Sequence, residues 1–176
     1  MSTRQVLYVI PLMLVVFSVA GIATIVNSVF AQEQKFMAYL SGDQEIPFNN
    51  SSAKGWAWFK PMGDSVSYGI NVTGIDKVTM AHIHSGKTGK NGDVVVVLFR
   101  SDSPTAPING PLAEGNFATD FKGPMAGKTL SDLVTAMQKG EIYVNVHTEA
   151  NPNGEIRGQI GMANATTISN STITTR

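Results

Sequence analysis

The chain has 176 residues, with 13 basic and 13 acidic side chains, three histidines and no cysteine. That neutral balance provides no basic face to attract nucleic acid. The absence of cysteine excludes disulfides, thiolate nucleophiles and a cysteine-ligated blue-copper centre, so the core must hold by packing alone.

The first segment reads as a leader. Arg4 is followed by an almost uncharged apolar run over residues 6–26, and Val29-Phe30-Ala31 places small or apolar residues where a signal peptidase reads. This predicts a signal peptide over residues 1–31, cleaved after Ala31. A run of that length is also about enough to span a bilayer, so an uncleaved anchor with membrane association is the alternative. Either way, residues 32–162 are expected to form one exported domain, extracellular or at the cell surface, of a size that suits a single core. N-x-S/T sequons at Asn49, Asn50, Asn71, Asn164 and Asn170 agree with export and predict glycosylation at some of them.

From Phe36 onward apolar residues recur mainly at period two, the pattern of strands with one buried face. Phe36, Ala38 and Leu40 alternate up to a turn at Ser41-Gly42-Asp43, and Trp56-Ala57-Trp58-Phe59 reads as a second strand. Val66, Tyr68, Ile70 and Val72 line a third, residues 80–84 a short fourth, and residues 94–99 a β-branched run expected to be covered on both faces. Residues 116–121, 142–147 and 155–160 complete about eight strands. One segment switches to helical spacing: Leu130, Leu133, Val134 and Met137 share a face, Thr129 or Ser131 can cap the start, and Gly140 stands where a terminal glycine belongs. The fold class is therefore all-β, a Greek-key immunoglobulin-like or superoxide-dismutase-like sandwich or barrel with one short helix. Residues 163–176, rich in Thr, Ser and Asn, read as a disordered tail.

Two histidines stand in Ala81-His82-Ile83-His84. Residues i and i+2 of a strand project from one face, so both imidazoles point the same way, opposite Ala81 and Ile83. His147 lies in Tyr143-Val144-Asn145-Val146-His147-Thr148, where it turns away from the apolar face with Tyr143 and Asn145. If the two strands are neighbours, three neutral imidazoles converge and leave an open position on a shared metal. Otherwise they are ordinary packed or surface histidines. Three imidazoles without thiolates suit one copper ion per chain, with zinc as the alternative. Glu45, Asp93 and Glu155 are candidate outer-shell carboxylates, Met80 a candidate weak axial ligand, and Arg157 or Lys87 a candidate near-surface cation to steer a small anion. The Gly86-Lys87-Thr88 string is not a phosphate-binding loop: Ala81 stands where its first glycine belongs, and a valine-rich strand follows where a helix should begin. It reads as a glycine-rich hairpin loop walling the histidine site.

Four motifs give the chain its resemblance to a known family. They are residues 40–47 (Leu-Ser-Gly-Asp-Gln-Glu-Ile-Pro), Ala81-His82-Ile83-His84 with Gly86, Gly89, Asn91 and Gly92, residues 143–148, and residues 153–160 (Asn-Gly-Glu-Ile-Arg-Gly-Gln-Ile). In these the chain resembles the CHRD, or chordin-type, domain family over nearly all of the segment after the leader. The resemblance implies an extracellular β-barrel distantly similar to copper-zinc superoxide dismutase, with the H-x-H strand similar to that enzyme's copper-binding strand. Three histidines cannot supply a two-metal site with a bridging imidazole, so a single copper is all that it implies. The expected function is a mononuclear copper protein acting on a small oxidant such as superoxide. The alternatives are a copper buffer without turnover and a structural or adhesive module; a hydrolytic zinc site lacks a nucleophile or base motif beside it.

Overall fold

In the computed structural model, residues 34–163 are described. The leader and the tail lie outside them. Among the described residues no helix is long and apolar enough to cross a membrane. The strands are β1 (Phe36–Ser41), β2 (Lys54–Met62), β3 (Ser65–Ile75), β4 (Val78–Ser85), β5 (Val94–Arg100), β6 (Ile108–Phe117), β7 (Ile142–Thr148), β8 (Ile156–Gln159) and β9 (Gly161–Met162), with helix α1 (Leu130–Gln138) between β6 and β7.

All pairings described are antiparallel, in the order β5-β4-β7-β8-β1-β2-β3-β6, with β9 also on β1. Consecutive strands β1, β2 and β3 form a meander. The chain then leaves β3 for β4 at the far end of the sheet and returns from β5 to β6, which pairs with β3. That out-of-sequence return is a Greek key. The sheet's two ends are drawn together. The Tyr68 hydroxyl on β3 donates to the Leu98 carbonyl on β5, and Lys122 N–H, just past β6, donates to the Val95 carbonyl at 2.9 Å. The result is a nearly closed barrel.

Period-two alternation fills its interior. Phe36, Phe59 and Tyr68 stand in one cross-strand row and Ala38, Ala57 and Ile70 in the next, and all six are buried. Ile83, Ile142, Val144, Val146 and Ile156 complete the core from the other side, and Leu133, Ala136 and Met137 of α1 pack against it. Thr129, not Ser131, caps the helix: its hydroxyl accepts from Asp132 N–H while the Asp132 carboxylate accepts from Thr129 N–H. Gly140 follows in the left-handed region at φ 60°.

Two expectations change. β5 is not covered on both faces: Val97 is 43% exposed, because β5 ends the sheet and bulges break its register with β4 at Ala81/His82 and Ile83/His84. The sixth strand occupies Ile108–Phe117, earlier than residues 116–121. Gly110, Pro111 and Gly115 disguise it, and Gly115 has a packing reason, since a Cβ there would stand 3.2 Å from the Tyr68 ring. Phe59 is wholly buried at the centre of the meander. The Phe59→Ala variant is therefore expected to lose about 3–5 kcal/mol in urea unfolding; a loss below about 1 kcal/mol would contradict this core.

Candidate metal centre

β4 and β7 are neighbours, with Met80 opposite His147, His82 opposite Asn145 and His84 opposite Tyr143. Their inward residues, Ala81, Ile83, Val144 and Val146, enter the apolar core, so the alternate residues emerge together on the outer face. That face is itself covered: every residue of β7 is buried, and His82, His84 and His147 are 7, 8 and 6% exposed. One ligand nitrogen from each imidazole lies within 4.8 Å of the other two.

Backbone carbonyls fix the rings. His84 Nδ1 hydrogen-bonds the Gly92 carbonyl at 2.9 Å and His147 Nδ1 the Pro152 carbonyl at 3.0 Å. A carbonyl only accepts, so both Nδ1 atoms carry the proton and both Nε2 atoms present a lone pair. His147 Nε2 is 3.1 Å from His82 Nδ1. Burial, then the neighbouring His147 and His84 and the charge of Arg100, hold the His82 pKa down at about 4. Burial likewise lowers those of His84 and His147. All three rings are neutral at neutral pH, as ligation requires.

A second layer braces this arrangement. The Tyr143 ring stacks on His84, with centroids 5.0 Å apart and planes within 8°. The Arg157 guanidinium lies 3.3 Å from the Tyr143 centroid. Arg157 also donates to Asn91 Oδ1 at 3.0 Å and the Lys90 carbonyl at 2.7 Å, and Asn91 Nδ2 donates to the Ile46 carbonyl at 2.7 Å. The loop between β4 and β5 is thus tied down over the outer face, as its glycines suggested. Gly92 admits no side chain, because a Cβ would overlap the Ser85 carbonyl oxygen.

The carboxylates are placed differently from expectation, since none accepts a proton from a histidine ring. Glu155 accepts from Ser51, Thr148 and Asn151. Asp93 is exposed and acts on His84 only through its charge. Glu45 is buried, and its Oε1 has no hydrogen-bond partner. Arg157 is 2% exposed and committed to the loop and Tyr143, so it is not the near-surface cation expected of it. Lys87 pairs with Glu141 at 3.4 Å. The exposed cation whose field reaches His82 is Arg100, which the sequence reading missed. Met80 is half-buried beside the cluster, opposite both His147 and Arg100 in register.

Among the described residues, three buried polar side-chain atoms lack any partner: His84 Nε2, Asn145 Oδ1 and Glu45 Oε1. The first is a lone pair and the second a carbonyl oxygen, so the histidine face carries acceptors without a donor. A cation satisfies that arrangement. Two nitrogens bound tetrahedrally to one ion at the usual metal–imidazole length lie about 3.3 Å apart, close to the observed 3.1 Å between His82 and His147. The His82–His147 pair thus has the spacing of two ligands to one ion, and the three histidines form a group that could hold a metal.

The fold and site together define a Greek-key β-barrel with a buried three-histidine cluster on one outer face. The CHRD domain family model matches residues 36–160, and the chain belongs to that family. It is 26% identical to chordin of Xenopus laevis over 145 residues, which cover 79% of this chain and 14% of that protein. No solved structure matches the chain.

Glu45 gives the site a pH signature. Burial raises its pKa from 4.5 to about 7, against the opposing pull of Arg157, the Ile46 amide and Asn145. The folded state thus favours the protonated carboxyl. Its contribution is fully present below the unfolded value of 4.5 and is lost as pH rises through about 7. Glu45→Gln, which keeps the neutral shape, should match the parent in stability at about pH 4 and exceed it by roughly 3 kcal/mol at about pH 8. A difference independent of pH in denaturant titrations would contradict this.

Proposed function

We propose that this domain is exported to the cell surface or beyond and holds one copper ion through His82 Nδ1, His84 Nε2 and His147 Nε2. The observation that carries the reading is the convergence of three buried imidazoles from two strands, with His84 Nε2 left without a partner and the His84 and His147 tautomers set by backbone carbonyls. Three imidazoles without thiolate or carboxylate ligands favour copper over zinc by the usual divalent order. Export is supported by the leader-like first 31 residues and by the sequons; glycosylation is expected with it.

Copper held there supplies one-electron exchange with a small oxidant such as superoxide. The chain's own residues determine how well that works. Gly92 and Pro152 keep the Nδ1 protons of His84 and His147, which aims the Nε2 lone pairs. Tyr143 and Arg157 keep His84 and its covering loop in place. Arg100, exposed on β5, provides positive potential near His82 to draw in an anion. The near-complete burial of the rings favours tight holding over rapid exchange, so binding is the primary function and superoxide dismutation the secondary one.

Dialysis of the purified protein against copper followed by elemental analysis is expected to give one copper per chain. His82→Ala or His147→Ala should weaken binding at least tenfold while circular dichroism keeps the β signature. Superoxide turnover should exceed that of His147→Ala and fall in Arg100→Gln. Copper bound with no turnover above His147→Ala would leave a buffer; absence of bound copper and zinc would overturn the metal reading in favour of a structural or adhesive module.

A further inference from the structure

The outer face of the meander, away from the histidines, carries an aromatic row beside a sequon. On β1 to β3, Tyr39, Trp56 and Asn71 stand opposite one another in consecutive strands. Their neighbours in sequence, Leu40, Ala57 and Val72, are buried, so this row points outward, with Tyr39 45% exposed and Trp56 and Asn71 half-buried. Thr73, the third residue of the sequon, emerges on the same face and is exposed. The Asn71 amide takes part in no hydrogen bond among the described residues. Directly opposed side chains on adjacent strands have Cβ atoms about 5 Å apart. A group on Asn71 Nδ2 therefore starts next to the Trp56 ring.

The structure separates this sequon from its neighbour at Asn49. Asn49 Nδ2 donates to both the Gly154 and Glu155 carbonyls, at 3.3 and 3.0 Å, and its Oδ1 accepts from Ser51 N–H at 2.9 Å. A sugar on that nitrogen would remove a donor hydrogen and break the tie between the segment before β2 and the segment before β8. Asn50 is exposed, without an aromatic partner in register.

We propose that Asn71 is an N-glycosylation site whose first hexosamine covers Trp56, while Asn49 stays unmodified. The donor is a lipid-pyrophosphate-linked oligosaccharide: the C1–O bond to the carrier breaks, the Asn71 Nδ2–C1 bond forms and an amide proton leaves. The apolar face of the sugar ring shields indole surface otherwise left in water, stabilising the folded domain. This rests on export and is independent of the metal.

The test is expression of the full chain in a secretory eukaryotic cell line, with peptide mapping by mass spectrometry of cells and medium together. The Asn71 peptide is expected to carry an N-linked hexosamine and the Asn49 side chain to be bare. Removing the glycan with Asn71→Gln should lower the thermal midpoint by about 3 °C, and the same change should have no effect in a Trp56→Ala background or in protein made without glycosylation. An unmodified Asn71, a sugar on Asn49, or an Asn71→Gln shift that persists in Trp56→Ala overturns the proposal. The distribution of protein between cells and medium reports export separately.

Discussion

Strand β7 is buried on both faces, and most of the site follows from that constraint. One face, Ile142, Val144 and Val146, closes the apolar core. The other, Tyr143, Asn145 and His147, lies beneath two loops and beside His82 and His84 of β4. A strand of this kind must satisfy its polar side chains away from water. The β4–β5 loop does so for His84 through the Gly92 carbonyl, and the segment before β8 does so for His147 through Pro152. What remains on this face are His84 Nε2 and Asn145 Oδ1, two buried acceptors to which the fold supplies no donor, beside the 3.1 Å contact of His82 Nδ1 with His147 Nε2.

The loops are held by a charge that is itself buried. Arg157 is among the largest fully buried side chains, and it stands on the ring of Tyr143 while its guanidinium spans two positions of the β4–β5 loop. Breaking such an arrangement leaves an uncompensated charge inside the protein. The same guanidinium draws Glu45 downward in pKa, yet burial prevails and keeps that carboxyl near neutrality. Charge here serves to position groups, and the exposed Arg100 at the end of β5 is a cation whose field reaches His82.

Much of this was legible in the chain. Period-two alternation located most strands and the i, i+2 spacing put His82 and His84 on one face, because both depend only on local backbone geometry. Helix α1 was readable from its spacing and its capping threonine. Less legible were features set by distant contacts. His147 lies 65 residues from His82, and their meeting depends on a Greek-key pairing that no local pattern encodes. The ring partners proved to be carbonyls of Gly92 and Pro152 in place of carboxylates, and a backbone carbonyl leaves no trace in residue type. Arg157 looked like a surface cation because arginine usually is one. β6 was expected too late, at residues 116–121 instead of Ile108–Phe117, because glycines and a proline interrupt its alternation, while its place is set by pairing with β3.

The central claim is that the fold holds three imidazoles ready for a single metal ion. Electron paramagnetic resonance of the full chain loaded with one equivalent of Cu(II) tests it most directly. The expected result is a type 2 copper signal with nitrogen hyperfine structure that is lost or altered in His84→Ala as well as in His82→Ala and His147→Ala. A signal unchanged in all three variants would place the copper elsewhere and contradict the account.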